Sequence, residues 1–418
     1  MVISKIKAYP VLLYLSILVL LINSYEITFL VWSFTAFVTL HKNYSVKVLK
    51  LFSILFLVIL IAFFSSFFHD HKTYNFIRDF TYLLKPILGI LIGYNICKTM
   101  GPKMIKLIVY AGVILAVVHI LTLAICYSVF AIRTVHELRH YGGYFDDYEV
   151  CVLILLIFRD KFDLYLSRQK VMLFIIIISF SLLLYLARTN IIQFIIMFLA
   201  LKGYFRVTLK SLKVLATTII VVLMAYSAIY YSYPQRKGKG IEAFLYKIKI
   251  APIEAFKTKI NQDDWKEFND NYRSFENIIT VRQVSSNGWF TMTFGEGLGS
   301  TIDIGREMWT NDGEFIRYVP TLHNAYMTML LKSGLIGVFL LLLFIVFLLR
   351  NLGSDNERIR YVNYLIVGVG LFLILSNWVF MGLYLKLDNK SIFLGFLLCY
   401  RELLLKQRNT TDVERKEN

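Results

Sequence analysis

Long apolar runs separated by short basic segments constrain this fold more than any other feature of the sequence. A run of about 20 apolar residues is what an α-helix needs to cross the hydrocarbon core of a bilayer. The chain has 418 residues, of which 57% are hydrophobic, and its mean hydropathy is +0.62. These values are typical of a polytopic membrane protein and not of a soluble enzyme. The predicted fold class is therefore an all-α polytopic membrane protein.

Twelve apolar segments, several of them short, are predicted as transmembrane helices. With the amino terminus inside, most Lys and Arg of the short loops and tails fall in the predicted inner segments, as the positive-inside rule expects. The net charge of +17 therefore orients the chain in a membrane and does not indicate nucleic-acid binding. The predicted spans are 9–22, 26–40, 48–68, 76–97, 104–130, 148–158, 171–187, 189–201, 213–231, 323–349, 361–385 and 391–404.

Residues 171–201 are the ambiguous part of this topology. One helix of that length would rise about 46 Å, more than the hydrocarbon core, so we place a break at Arg188-Thr189-Asn190. A single span would instead move the long loop that follows to the cytoplasm and the basic loop 202–213 outside. The charge bias favours the hairpin over the single span.

The spans predict three regions: an amino-terminal bundle of about nine spans over 1–231, a periplasmic loop over 232–322, and carboxy-terminal helices with a cytoplasmic tail over 323–418. The loop carries equal numbers of acidic and basic residues and is formally neutral. Its apolar periodicity from Ile241 predicts an amphipathic helix interrupted at Pro252, lying on the bilayer surface.

A second loop helix is predicted to begin at Asp263-Asp264, because acidic residues are favoured at the start of a helix. An apolar stripe follows from Trp265. At about 100° per residue this stripe predicts that Arg282 faces the membrane bundle and that Arg273 faces water.

The stretch FGEGLGS from Phe294, followed by TLHNAYMTMLLKSGLIG from Thr321, resembles the signature of the O-antigen polymerase and O-antigen ligase family. The likeness consists of a glycine-rich turn, His323-Asn324 at the outer mouth of a long apolar helix, and then Gly334 and Gly337. Three weaker likenesses are YLARTNII around Arg188, a loop arginine at Arg282, and RHYGGYFDD from Arg139. Members of this family are membrane glycosyltransferases that use undecaprenyl-diphosphate-linked glycans.

The resemblance implies a GT-C-like fold and an inverting, metal-independent transfer with no cofactor. Such a transfer expels a diphosphate, whose developing charge arginine side chains stabilise. The acceptor hydroxyl must lose a proton, which a histidine can accept. His323, Arg188 and Arg282 are therefore the predicted catalytic residues, in a positively charged site that lacks a carboxylate cluster.

Weaker candidates are assigned to substrate binding, each with a structural alternative. Lys332 departs from the family pattern, which often has an acidic residue there, and it either contacts the substrate or pairs with a neighbouring helix. Lys85 either lines a lipid-glycan groove, pairs with Asp79 or marks a helix break at Pro86. The full set of predicted substrate-binding residues is Arg139, Asn324, Lys332, Lys85 and Arg273.

The stretch VHELRH matches H-E-x-x-H, a spacing that places two zinc-binding histidines on one helical face. The match is disfavoured because Arg139, between His136 and His140, would place a cation beside the metal. No third ligand follows nearby, so no metal site is predicted.

The predicted function is polymerisation of a surface polysaccharide, such as O-antigen, capsule or exopolysaccharide, in the bacterial inner membrane with the active site facing the periplasm. The implied partners are an undecaprenyl-diphosphate-linked oligosaccharide, membrane lipid, a chain-length regulator and a flippase. The alternatives are an O-antigen ligase that transfers the glycan to lipid A core, a lipid-glycan flippase or transporter, and a partner-binding membrane protein. Transporters of this size usually have two related halves, and no such duplication is visible here.

Replacing His136 and His140 together by alanine separates the zinc hypothesis from the transferase hypothesis. We expect surface polysaccharide chains of normal length on a gel, because neither histidine has a role in the transfer. Loss of all chains, with the protein still inserted in the membrane, would favour the metal site instead.

Overall fold

The computed structural model describes residues 2–132, 135–143, 145–206, 208–236, 241–309, 315–350 and 354–417, and the chain is 77% helical with almost no sheet. The helices are α1 (Val2–Leu18), α2 (Tyr25–Val38), α3 (Val46–Ser65), α4 (Thr73–Met100), α5 (Met104–Ser128), α6 (Val135–Gly142), α7 (Asp146–Ile157), α8 (Arg168–Leu184), α9 (Arg188–Leu201), α10 (Leu209–Tyr231), α11 (Ile241–Phe256), α12 (Trp265–Asp270), α13 (Tyr272–Ser286), α14 (Trp289–Phe294), α15 (Ala325–Leu349), α16 (Glu357–Phe380) and α17 (Lys390–Glu417). The strands are β1 (Ile302–Trp309) and β2 (Phe315–Val319).

By length and composition, five helical stretches of the described chain could cross a membrane: Val46–Phe68, Thr73–Ser128, Leu209–Tyr231, Ala325–Leu349 and Glu357–Phe380. Thr73–Ser128 contains both α4 and α5. Shorter apolar helices cover Ala8–Ile22, Tyr25–Val38 and Arg188–Leu201. These findings support an all-α membrane protein, whereas twelve spans and a GT-C-like arrangement stay predictions.

A break within 171–201 is confirmed, but it falls at 185–187 and not at the predicted Arg188-Thr189-Asn190, which begin α9; the chain reverses there. α8 starts shortly after the end of α7 and ends beside the start of α7, where the Tyr185 hydroxyl donates to Glu149 at 3.3 Å. α9 then returns along α7, because Phe198 near its end contacts Phe158, which directly follows α7, with ring centroids 5.5 Å apart. α8 and α9 therefore run in opposite directions, whereas a hairpin of two membrane spans stays a prediction.

α10 differs from the other four apolar stretches because none of its apolar window is buried against the described residues. Its contact to the rest of the protein includes Tyr226, whose hydroxyl donates to the carbonyl of Lys249 in α11 at 2.9 Å. An apolar helix with no face buried against protein is stable only in lipid. α10 is therefore the least buried of the five candidate spans in the described chain.

The predicted interruption at Pro252 is wrong, since α11 runs without a break from Ile241 to Phe256. A proline inside a helix removes one backbone donor and loosens the preceding turn. Arg188 donates to the carbonyl of Lys247, and Tyr226 donates to that of Lys249. These contacts tie α11 to α9 and α10.

The predicted helix at Asp263-Asp264 does begin there, with the Asp264 carboxylate accepting from the backbone N–H of Lys266 at 2.9 Å. It ends at Asp270, and α13 starts anew at Tyr272. The loop also contains the antiparallel pair β1 and β2, which the sequence analysis did not predict. Asp303 and Arg317 form a cross-strand ion pair at 2.8 Å on this hairpin.

The loop packs onto the membrane region and shares a hydrophobic core with it. Phe268, Phe275, Val284 and Ile302 of the loop are buried together with Leu331 of α15. The predicted boundary between 322 and 323 therefore marks a change from polar to apolar sequence, but the loop and α15 pack together across it.

Residues 295–299, here called the glycine turn, hold the loop against the bundle. Gly295, Gly297 and Gly299 have φ of +79°, +89° and +90°, a region that favours glycine. A Cβ on Gly295 would lie 2.5 Å from the backbone of Lys332 in α15, and one on Gly297 would lie 2.4 Å from the backbone nitrogen of Ser66. The turn is thus inserted between α15 and the end of α3, which leaves no room for side chains at these glycines.

Gly297→Ala is predicted to lower the thermal unfolding midpoint of the purified protein more than Gly305→Ala does. Gly305 has φ of +74°, yet a Cβ there meets nothing within 4 Å. The two variants thus share the left-handed strain of about 1 kcal/mol, and Gly297→Ala adds an overpacking cost of about 1–3 kcal/mol. Equal midpoints for the two variants would contradict the proposed close docking of the glycine turn.

Candidate active site

His323 lies between β2 and α15 and forms a close pair with Glu276 of α13. Its Nδ1 is 3.0 Å from Oε2 of Glu276, and its backbone N–H donates to the same oxygen at 3.1 Å. The Glu276 side chain is 1% exposed, whereas that of His323 is 47% exposed. A carboxylate at Nδ1 holds the proton on that nitrogen and leaves Nε2 as the acceptor, the arrangement used by histidine bases in catalytic triads.

Tyr272 packs against the His323 side of this pair. Its ring meets the His323 ring edge to face, with centroids 5.9 Å apart. Burial raises the pKa of Tyr272 well above its ordinary value, and the nearby charge of Glu276 adds to this effect. The phenol therefore stays neutral beside the histidine and restricts the ring orientation of His323.

Arg188 and Arg273 meet at one carboxylate, that of Glu254 in α11. The Arg273 Nη1 lies 3.5 Å from Glu254 Oε1, and the Arg188 Nη2 lies 3.9 Å from Oε2. Ser274 of α13 also donates to the backbone carbonyl of Glu254. The contacts bring the first residue of α9, the end of α11 and the start of α13 together.

Helix α13 joins these two groups into one site. Arg273 and Glu276 are three residues apart, a spacing that places side chains next to each other on a helix surface. We call Arg188, Glu254, Arg273, Glu276 and His323 the α13 cluster. The site predicted to lack carboxylates therefore contains two, and its arginine charges are balanced by its glutamate charges.

The predicted orientations of Arg273 and Arg282 are wrong and are in fact reversed. Arg273 is partly buried in the α13 cluster, whereas Arg282 is exposed. The reason is that α13 buries the face that carries Glu276, Thr280 and Val284, and at about 100° per residue Arg273 lies on this face whereas Arg282 lies opposite it. Arg282 therefore lies outside the α13 cluster. Arg273 occupies the position facing the bundle that was predicted for Arg282.

Asn324, which was predicted to bind substrate, has a structural role in the described protein. Its side-chain oxygen accepts from the backbone N–H groups of Tyr326 at 2.9 Å and Met327 at 3.3 Å, and this caps the start of α15. The residue is 1% exposed. Asn324 thus fixes where α15 begins, directly after His323.

Lys332 pairs with a neighbouring helix, the second of the two outcomes considered for it. Its Nζ lies 2.5 Å from Oδ2 of Asp79 in α4 and also donates to the carbonyl of Ser300. The same carboxylate accepts from the backbone N–H of Gly299 at 2.8 Å, and Arg78 lies 3.1 Å from its other oxygen. Lys332 is thus buried beneath the glycine turn and away from the α13 cluster.

Lys85 also lies away from the cluster and does not pair with Asp79. It is 2% exposed, donates to the carbonyl of Lys386, and lies 5.1 Å from the ring centroid of Trp32. α4 continues through Pro86, so the predicted helix break is absent. The observed contacts of Lys85 fasten the segment before α17 to α4, which is a structural role.

The prediction for Arg139 falls on a side chain outside the described residues, as do those of His136 and His140. The backbone of this stretch is helical and forms α6. Among the side chains that the structure does describe, no three His, Cys, Asp or Glu residues are grouped as metal ligands.

Glu254 and Glu276 are the site residues that the sequence analysis missed. Glu276 lies one turn after Tyr272 and Arg273 in α13, and Glu254 follows Pro252 in α11. In a loop with as many acids as bases, neither residue stands out by charge. The available signal was the i, i+3 spacing of Arg273 and Glu276 on one helix.

Comparison with known proteins does not assign the chain to a group: no family model matches it, and no curated protein matches it.

The Lys332–Asp79 pair is predicted to act in stability and not in substrate binding. Asp79→Asn leaves the buried ammonium without its counter-charge and should cost about 3 kcal/mol. The exposed pair of Lys161 and Glu357, 2.8 Å apart, provides the control, and Glu357→Gln should cost well under 1 kcal/mol. Thermal unfolding in detergent measures both. A Lys332→Met variant with normal stability but no polysaccharide product would instead indicate a substrate contact.

Proposed function

We propose that the protein is a membrane glycosyltransferase that polymerises a surface polysaccharide from undecaprenyl-diphosphate-linked repeat units. The observation that carries the proposal is the α13 cluster: α13 carries Glu276, which orients His323, and three residues earlier Arg273, which shares the Glu254 carboxylate with Arg188. The cluster lies at the ends of apolar helices, α9 and α15, where a lipid-linked substrate would present its diphosphate and first sugars.

In the proposed reaction, His323 is the base. The acceptor hydroxyl oxygen forms a bond to the anomeric carbon of the donor glycan as the bond from that carbon to the diphosphate oxygen breaks. The electron pair of the broken bond stays on the diphosphate, and the hydroxyl proton passes to Nε2 of His323. Glu276 then stabilises the imidazolium through Nδ1.

Arg188 and Arg273 are proposed to bind the diphosphate of the donor. Their contacts to Glu254, at 3.5 and 3.9 Å, are longer than hydrogen bonds, so neither arginine is committed to a bidentate pair with that carboxylate. A diphosphate carries more charge than Glu254 and matches the planar fork of guanidinium donors. Glu254 keeps the two cations close together before the substrate arrives.

The exposed helix α10 suits a polyprenyl substrate. Its apolar surface is unburied, and α11, which carries Glu254, is the next helix along the chain. A polyprenyl tail in the bilayer beside α10 would therefore lead its diphosphate toward Arg188 and Arg273. The inner-membrane location and periplasmic orientation are part of this proposal, supported by the basic inner segments.

A lipid-glycan flippase is the second candidate because the bundle contains a buried ionic group. Lys390 contacts Asp147 and lies 3.3 Å from Asp388, and all three are buried. Ionisable residues within a membrane region often serve transport. The α13 cluster, however, is a better match to chemistry on a diphosphate than to a transport path.

Deletion of the gene in its bacterium distinguishes the candidates on a polysaccharide gel. Single-repeat products would support the polymerase, and full chains that stay on the lipid carrier would support the ligase. Repeat units trapped on the cytoplasmic side would support the flippase. An unchanged ladder of chain lengths would refute all three.

His323→Ala and Arg188→Ala are predicted to abolish chain formation, and Glu276→Gln should lower it about 100-fold or more, because each removes part of the base or the diphosphate site. Arg282→Ala is the matched control: it removes a loop arginine outside the α13 cluster and should leave the ladder normal. The readout is chain length on gels at equal membrane levels of each variant. Normal ladders from His323→Ala or Arg188→Ala would remove that residue from the site.

A further inference from the structure

A cavity of about 550 Å³ opens at the end of the bundle that lies opposite the α13 cluster. Its wall includes Asn363 in the first turns of α16, whereas Trp378, near the other end of that helix, stacks on Phe256 of α11 with ring centroids 6.1 Å apart. The 15 residues between Asn363 and Trp378 correspond to a rise of about 22 Å. The cavity is therefore separate from the proposed active site.

The lining of this cavity is strongly basic. Five cationic side chains and a single carboxylate, that of Asp355, lie among the residues around it. Their formal excess of four positive charges comes from four parts of the chain: the start of α3, the segment after α9, the start of α16 and α17. The cationic lining residues are Lys47, Arg206, Arg360, Arg401 and Arg408.

Two of the lining residues are buried and have polar atoms without partners. Arg401 is 3% exposed, and its Nε has no hydrogen-bond partner among the described residues. Asn363 is 4% exposed, and its side-chain oxygen likewise has none there. A buried guanidinium donor left unpaired costs free energy, which an anion in the cavity would recover. Of these two atoms, the Arg401 Nε is the donor, and it favours a ligand that accepts hydrogen bonds.

We propose that this basic cavity binds a phosphate-bearing anion. The volume lies within the range of small-molecule sites and is too large for a lone ion. Several arginines converging on one space match the multiple oxygens of a phosphate or diphosphate, which guanidinium groups bind bidentately. A singly charged carboxylate would leave most of the positive charge unbalanced.

Two sources share this chemistry. Ile359, Arg360 and Asn363 in the first turns of α16 line the cavity, so it lies at the level where an apolar span meets the membrane surface. An anionic phospholipid presents its headgroup phosphate at this level. A soluble diphosphate would enter the same cavity from the aqueous side.

The test uses the full chain purified in a neutral detergent, with phosphatidylglycerol and inorganic pyrophosphate as separate probes. Native mass spectrometry measures retained lipid relative to phosphatidylcholine, and calorimetry measures pyrophosphate binding. The double variant Arg360→Gln with Arg401→Gln should weaken binding at least about tenfold, since charge-assisted hydrogen bonds are lost. Because Arg401 is buried, Arg360→Gln with Arg408→Gln provides a second variant that changes no buried side chain.

The control is Arg350→Gln with Arg358→Gln, which removes the same charge from the same end of the protein without touching the cavity lining. Selective loss of phosphatidylglycerol in the cavity variants supports a lipid headgroup, and loss of pyrophosphate supports a soluble ligand. Equal loss in the control, or no binding of either probe by the unmodified protein, would overturn the proposal.

Discussion

The docking of the glycine turn between α3 and α15 is the contact on which the rest of the structure depends. The backbone N–H of Glu296 donates to the carbonyl of Leu331 at 2.8 Å, and that of Leu298 donates to the carbonyl of Ala62 at 3.1 Å. The Lys332–Asp79 pair lies beneath the turn, and Asp79 also accepts from Gly299. This combination of close backbone packing and a buried charge pair fixes the polar loop on the membrane bundle.

That fixed position determines which side chains can meet. With the loop in place, α13 lies where Glu276 reaches His323 and Arg273 approaches Glu254 and Arg188. The α13 cluster thus combines residues from the bundle and the loop, and neither part contains the site alone. In the proposed reaction, the buried carboxylate behind the exposed histidine assists removal of a proton, and Arg273, one helical turn away, stabilises the leaving phosphate together with Arg188.

Part of this arrangement could be predicted from the sequence because it depends on local physics. The break before Arg188 follows from helix length against bilayer thickness, and the position of His323 at a helix mouth follows from the apolar run after it. The exchange of Arg273 and Arg282 could not be predicted, because the buried face of α13 includes the polar residues Glu276 and Thr280, which a stripe of apolar residues does not reveal. The pairing of Lys332 with Asp79 joins positions far apart in the chain and requires the tertiary fold. The strand pair has only a short signal in the sequence: Ile302 and Ile304, two residues apart, are both buried, which is the periodicity of a strand.

The central claim is that the α13 cluster transfers a glycan from a lipid diphosphate. The most direct measurement is the release of undecaprenyl diphosphate when the purified protein is given a lipid-linked repeat unit. The account predicts release coupled to glycan elongation by the unmodified protein and by Arg282→Ala, and none above background by His323→Ala. Failure of the unmodified protein to release the carrier, or equal release by His323→Ala, would contradict it.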